Sequence, residues 1–153
     1  MVTLPADSEL RLPRVLNFMR AMWGVAHGLQ AASKHMQRTV GLTGPQRIVV
    51  RILGRFPDVS AGRLAEILHL HPSTLTGILA RLEEQGTIAR KSDSRDGRKA
   101  LFALTAKGRK HDSRRPGTVE AIVETALAAF SAEEVEIARR VLDRLATALV
   151  GEE

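Results

Sequence analysis

Two short runs in this 153-residue chain bring polar, charged and very small side chains close together. The first is Asp93-Ser94-Arg95-Asp96-Gly97-Arg98-Lys99, in which three cations and two carboxylates surround an Asp-Gly pair. The second is Ser73-Thr74-Leu75-Thr76-Gly77-Ile78-Leu79-Ala80-Arg81-Leu82. Leu75, Ile78, Leu79 and Leu82 follow the i, i+3, i+4, i+7 spacing of a buried helical stripe. The opposite face then carries Ser73, Thr76, Gly77, Ala80 and Glu84, with Thr74 and Arg81 beside it. Neither run contains a nucleophile paired with a base or a metal-ligand set. Their chemistry is non-covalent: guanidiniums and hydroxyls can bond an oxyanion or a polar ring edge, and small residues let a backbone come close.

The charge of the chain is concentrated around the first run. The formal net charge is +6, yet residues 87–115 carry ten basic and three acidic groups, a local +7. Residues 116–153 carry three basic and eight acidic groups, a local −5, and residues 42–86 are nearly balanced. A pI near 10.7 permits a polyanionic partner without specifying one. Hydrophobic residues at 44% and charged residues at 26% fit a globular chain rather than a disordered one. The complete lack of cysteine excludes disulfides, thiolate metal sites and thiol redox chemistry. No apolar run approaches the roughly 18–20 residues of a membrane span, and the opening MVTLPADSEL lacks the pattern of a signal peptide. The expected location is the cytoplasm, with no membrane partner.

The elements that must position the two runs are legible from periodicity and caps. A long helix is expected from about Pro13 to Arg38, with Leu12, Val15, Leu16, Met19, Met22, Trp23 and Ala26 on one face and Gly41 beyond its end. A second helix follows Thr43-Gly44-Pro45, with Ile48, Val49, Ile52, Leu53 and Phe56 as its apolar face, and Pro57-Asp58 ends it. Ser60 can cap a short helix over 61–68. After the turn His69-Leu70-His71-Pro72 another helix runs to about Gln85, where Gly86 suits a left-handed cap. Thr87–Lys91 and Ala100–Leu104 are two β candidates, and Asp96-Gly97 between them is a hairpin-turn signal. Thr105 can cap a further helix, which Pro116-Gly117 should kink or break. Ser131 and Glu134 form a capping box for a last helix striped by Val135, Ala138, Val141, Leu142, Leu145, Ala148 and Leu149.

Two short helices joined by a tight turn and followed by a hairpin make a winged helix-turn-helix, a mainly α fold with a small β-hairpin. The second helix of such a unit enters the DNA major groove, which assigns Ser73, Thr74, Thr76, Gly77 and Arg81 to double-stranded DNA. Glu84 would face phosphates poorly and is placed beyond the groove. The hairpin tip supplies Arg95, Arg98 and Lys99, and an Arg there can enter the narrow minor groove. Asp93 and Asp96 can hold a guanidinium in a fork and lower its ordering cost. Broad apolar stripes on the terminal helices point to a homodimer.

Other classes fare worse. His69-x-His71 lies on a turn with no further ligand nearby, so no metal, cofactor or enzymatic activity is expected. Aromatic residues total only 3%, too few stacking platforms for a single-strand or RNA binder. A winged helix used for protein contacts, or a DNA-binding module insensitive to ligand, remains the alternative.

From Leu42 to Gly108 the chain resembles the MarR family of bacterial winged-helix transcriptional regulators. The residues that carry the resemblance are Leu42-Thr43, the helix ending Leu82-Glu-Glu-Gln-Gly86, Ile88-Ala-Arg90, Asp93-Ser-Arg95-Asp96-Gly-Arg98 and Leu104-Thr105-Ala-Lys-Gly108. Ser131-Ala-Glu-Glu134 and its leucine-spaced helix match as well. The resemblance implies a homodimer whose first and last helices interlock, and a repressor that reads a pseudo-palindromic operator until a small ligand or modification releases it. Arg95 matches the minor-groove Arg of the family, Asp93 the carboxylate that orients it, and Asp96 and Arg98 complete the wing. The cysteine-based peroxide-sensing branch is excluded. Small aromatic acids or phenols are the effectors the resemblance implies, near Met19, Met22, Trp23 and His27, although the same residues read first as dimer core. The implied division is a dimerisation helix over 1–41, a DNA-binding domain over 42–104 and further dimerisation helices over 105–153.

Overall fold

The computed structural model describes residues 12–113 and 115–151; the signal-peptide reading of the first ten residues lies outside them. Among the described residues, seven helices and three strands follow in the order α1 (Arg14–Val40), α2 (Gly44–Arg55), β1 (Val59–Ser60), α3 (Ala61–Leu68), α4 (Pro72–Glu84), β2 (Ile88–Ser92), β3 (Ala100–Leu104), α5 (Ala106–His111), α6 (Val119–Leu127) and α7 (Ala132–Val150). The strands form one antiparallel sheet in the order β1-β3-β2.

The helix ends are set by local hydrogen bonds. Thr43 and Gln46 form a reciprocal capping box at α2, and Ser131 with Glu134 does the same at α7. The Ser60 hydroxyl accepts from the Arg63 amide at α3. At the end of α4, the Thr87 amide bonds the Leu82 carbonyl and the Gly86 amide bonds that of Glu83, with Gly86 at φ 67°. This is a Schellman closure, and only glycine takes that φ without strain. The expected break at Pro116-Gly117 separates α5 from α6.

Among the described residues, the main apolar cluster lies within residues 42–102. Leu42, Val49, Val50, Leu53, Leu64, Leu75, Leu79, Leu82, Ile88 and Phe102 are buried there, drawn from α2, α3, α4 and the sheet. Burying each of these large side chains is worth about 1.5–3 kcal/mol, which is why α4 is held firmly although it is short. Only Met36 of α1 is buried, and α6 and α7 bury no residue at all within one chain.

Three local expectations are corrected. The hairpin is part of a three-stranded sheet: β1, too short to show a period, pairs Val59 with Phe102 and Ser60 with Leu101. The second strand runs one residue later than read, because the Thr87 carbonyl accepts from Thr105 and so closes the base of the hairpin. On α2 the face turned inward is Gln46, Arg47, Val49, Val50 and Leu53, whereas Ile48 and Phe56 are 48% and 57% exposed.

Candidate nucleic-acid interface

The outer face of α4 is assembled from its inner one. With Leu75, Leu79 and Leu82 buried, Ser73, Thr74, Thr76, Gly77 and Arg81 are all exposed. The helix packs against α2, α3 and β2, so this face is the one left open. Thr76 Oγ1 donates to the Pro72 carbonyl at 2.8 Å, which commits its hydrogen and leaves its lone pairs and methyl facing outward. A Cβ at Gly77 would meet nothing within 4 Å, so that stretch of helix surface is unobstructed.

The N-terminus of α4 is capped by a residue that the sequence reading left without a role. His71 Nδ1 accepts the Ser73 amide at 3.2 Å and lies 2.7 Å from the Ser73 hydroxyl. Accepting at Nδ1 requires a neutral ring with its proton on Nε2. The preceding His69 adopts a left-handed conformation, φ 50°, and closes α3. Its Nε2 lies 3.7 Å from Asp143 on α7, tying the turn to the terminal helix. The two histidines thus serve separate structural ends.

The wing is a seven-residue excursion whose strands stay paired as far as Ser92 and Ala100. Beyond that pair, the Asp93 amide donates to the Lys99 carbonyl and the Lys99 amide to the Asp96 carbonyl, both at 2.9 Å. Asp96-Gly97 therefore opens a four-residue turn instead of forming the centre of a two-residue one, and Gly97 does not adopt positive φ. The carboxylates also differ from expectation. Asp93 accepts the backbone amide of Arg95 at 2.9 Å, and Asp96 that of Arg98 at 3.2 Å. They shape the loop backbone and do not fork the Arg95 guanidinium, because the loop is tight enough for each carboxylate to reach the amide two residues ahead. Arg95, Arg98 and Lys99 are all exposed, and Lys99 Nζ lies 3.9 Å from Asp96.

Two further cations extend the basic surface. Arg90 and Lys91 on β2 join Arg98 and Lys99 around a shallow hollow of about 270 Å³. Lys91 Nζ is 2.6 Å from Asp58, whose φ of 66° turns the chain from α2 into β1. The sequence signal for these two was simply their place in the basic run. What the arrangement can do chemically is present an exposed positive tip and a hydroxyl-lined helix from one lobe.

A second feature is a groove of about 1380 Å³ between α1, α2, α6 and the turn that joins α3 to α4. Leu29, Ile48, Leu70, Val119, Val123 and Leu127 give it an apolar lining, with Arg51 and Glu120 among the polar groups. Met19, Met22, Trp23 and His27 do not line it; the first three lie more than a turn from Leu29 along α1, and His27 sits two residues before it. Trp23 is instead 63% exposed on a face that α1 leaves unpacked.

Residues 40–99 match the sequence model of the MarR family. The chain is 31% identical over 106 residues to an HTH-type transcriptional repressor of Mycobacterium tuberculosis, an overlap of 69% of this chain and 76% of the relative. Among solved structures it resembles the PcaV transcriptional regulator of Streptomyces coelicolor in complex with its natural ligand. That likeness has a TM-score of 0.62 at 26% identity and covers 80% of this chain and 89% of that one. A MepR-like protein complexed with pseudoligands shares the fold more closely, with a TM-score of 0.76 at 23% identity over 93% of this chain and all of the other.

Proposed function

The chain belongs to the MarR family, and from that membership we propose that it is a sequence-specific, double-stranded DNA-binding transcriptional regulator acting as a homodimeric repressor. The observation that carries this reading is the pairing, on one lobe, of an unobstructed hydroxyl-lined helix with an exposed basic wing. On this reading Ser73, Thr74, Thr76, Gly77 and Arg81 contact the major groove. Arg95 enters the minor groove, Arg98 and Lys99 hold phosphates, and Asp93 and Asp96 keep the loop in shape. Phosphate contacts supply affinity and the nearly neutral helix supplies selectivity.

The unpacked faces of α1, α6 and α7 support self-association. Phe18, Val25, Ile122, Phe130, Leu142 and Leu149 are each more than two-fifths exposed in the single chain. An exposed apolar surface of this extent calls for a partner, and a second copy brings the same faces around a two-fold axis. The two wings then address a pseudo-palindromic operator about one helical turn apart. Residues 42–104 form the reading domain, flanked by dimerisation segments at 1–41 and 105–153, with α5 packed back onto α2 and β3. The apolar groove beside α6 suits a small aromatic or phenolic effector that loosens the grip on DNA. No catalytic activity is assigned, and the working compartment is the cytoplasm.

Selection of bound sequences from random duplex DNA tests the reading. A palindrome enriched at one half-site spacing is expected, with affinity that falls steeply as salt rises. Failure to enrich any sequence, with binding to protein partners that barely responds to salt, would favour a winged helix used for protein contacts.

A further inference from the structure

The side chain of Arg47 is buried where α2 meets the α5–α6 connection and α6, and its residue is 1% exposed. Its Nε donates to Glu120 Oε1 at 2.7 Å, and Nη2 donates to the same oxygen. Nη1 reaches the carbonyl of His111 and Nη2 that of Ser113, the latter at 3.0 Å. One turn along α2, Arg51 Nη1 donates to the Asp112 carboxylate at 2.6 Å and also to its carbonyl. Arg51 Nε lies 3.9 Å from Glu120 Oε1. In the next turn, a Cβ on Gly54 would collide with the Asp112 carboxylate, so that carboxylate rests directly on the α2 backbone.

Successive turns of one helix thus hold the carbonyls that α5 leaves unpaired at its C-terminus, together with a carboxylate from α6. This arrangement is directional. Arg47 is buried and Glu120 is partly exposed; an ion pair with a buried partner gives little net stability compared with apolar packing of similar volume, whereas it has strict geometric demands. The contrast within this chain is sharp: α2 supplies Val49, Val50 and Leu53 to the lobe core, and α6 buries no residue against it. On the α2 side the angle of α6 to the lobe is therefore held by polar contacts; α6 also packs on α1, which is fastened to the same helix by Ser33 Oγ accepting the Gly44 amide at 2.7 Å.

We propose that Arg47 and Glu120 form a positioning pair that fixes the angle between the reading lobe and α6, and so sets the separation of the two lobes in the dimer. The proposal rests on the dimeric DNA-reading function above. It differs from a general stabilising role in one measurable respect, because a pair that sets lobe separation must control which half-site spacing is preferred. Neither residue touches DNA.

The test uses the full chain and the duplex selected by the wild-type protein, with its half-sites then moved apart or together by one or two base pairs. Wild type is expected to favour one spacing by about tenfold, an ordinary size for coupling between sites. Glu120→Ala is expected to reduce that preference to within about twofold, while its affinity for a duplex bearing one half-site and its sedimentation as a dimer stay unchanged. Should Glu120→Ala fail to fold, Glu120→Gln keeps an oxygen for Arg47 while removing the charge attraction, and a partial loss of preference is expected. An unchanged spacing preference in a folded variant overturns the proposal. So does an equal loss of affinity on single and paired half-sites. If the wild-type protein selects no duplex, the function proposed above fails, and the positioning pair fails with it; selection by wild type with an indifferent variant removes the pair alone.

Discussion

Gly108 on α5 lies directly against the carbonyl oxygen of Thr87, so closely that a Cβ there would overlap that oxygen and crowd the Leu104 side chain. The same carbonyl accepts from the Thr105 amide and hydroxyl, both at 3.1 Å, and Thr105 caps α5 by accepting the Gly108 amide, also at 3.1 Å. Threonine and glycine three residues apart thereby seat α5 on the base of the wing. Gly108→Ala is expected to destabilise the fold by about 1–3 kcal/mol, because a backbone carbonyl cannot swing aside as a flexible side chain can. Urea unfolding checks this; a midpoint equal to that of wild type would mean α5 can shift without cost.

Arg95 stands at the wing tip with its backbone fixed by Asp93 and its guanidinium exposed. Arg95→Ala should weaken operator binding by about 1–3 kcal/mol and leave helicity and dimerisation intact. Titration across a salt series separates two roles for the lost contact. A slope reduced by about one marks a phosphate contact, and an unchanged slope with altered A·T preference marks minor-groove reading. Undiminished binding would remove the wing from the mechanism.

Thr76 and Arg81 lie on the exposed face of α4. Thr76→Ala and Arg81→Ala are each expected to cost about 1–3 kcal/mol on the selected operator and much less on random duplex. Equal losses on both duplexes would demote the residue concerned to a phosphate contact. Because Thr76 already donates to Pro72, its replacement should relax preference at a position read by a lone pair or a methyl.

Stability should decline on acidification through the junction beneath α2. Burial, followed by the charges of Lys107, Arg115 and Arg47, holds the His111 ring below its ordinary value of 6.5, and its Nδ1 is buried without a hydrogen-bond partner among the described residues. The unfolded chain therefore takes up this proton at a higher pH than the native one. Stability falls as pH drops below about 6.5 and stops falling once the native ring is itself protonated. Burial pushes Glu120 up, but its hydrogen bonds and attraction to Arg47, with bonds to its own amide and Thr118, outweigh this and leave it below 4.5. Its contribution is present above 4.5 and is lost as pH falls through the lower native value. His111→Gln should flatten the upper part of the profile between about pH 7 and 5 and spare the lower part. Parallel profiles for the two proteins would clear His111 of the effect.

Leu142 is 56% exposed on α7 in the single chain. Leu142→Glu should weaken self-association by one to several orders of magnitude, since a charge would be buried against apolar side chains of the second copy. Sedimentation at graded concentrations reads this directly. A dimer of wild-type strength would place α7 outside the interface.

The parts legible in the sequence were those settled within one turn of chain. The cap at Ser60, the box at Ser131 and Glu134, the left-handed Gly86 and the limits of the third helix follow from donors and acceptors a few residues apart. What was misread lies one level up. The two-residue β1 has no period to detect, and Asp93 and Asp96 have several partners within reach, among which the loop geometry chose the backbone amides. Arg47 sat inside an apolar helix pattern whose inward face was read through Ile48 and Phe56, so a buried guanidinium on that helix left no local trace.

The sequence alone determined the capped helices, the hairpin, the basic wing and the small-residue face of α4, because each rests on hydrogen bonds or periodicities confined to a few neighbouring residues. The tertiary structure decided how these pieces are aimed. Arg47 and Glu120 stand 73 residues apart, and their meeting depends on the packing of α2, α5 and α6 together. The apolar groove arises in the same way, from helices that border it without filling it. A side chain's reach is short, so its partner is fixed only when the helix axes are.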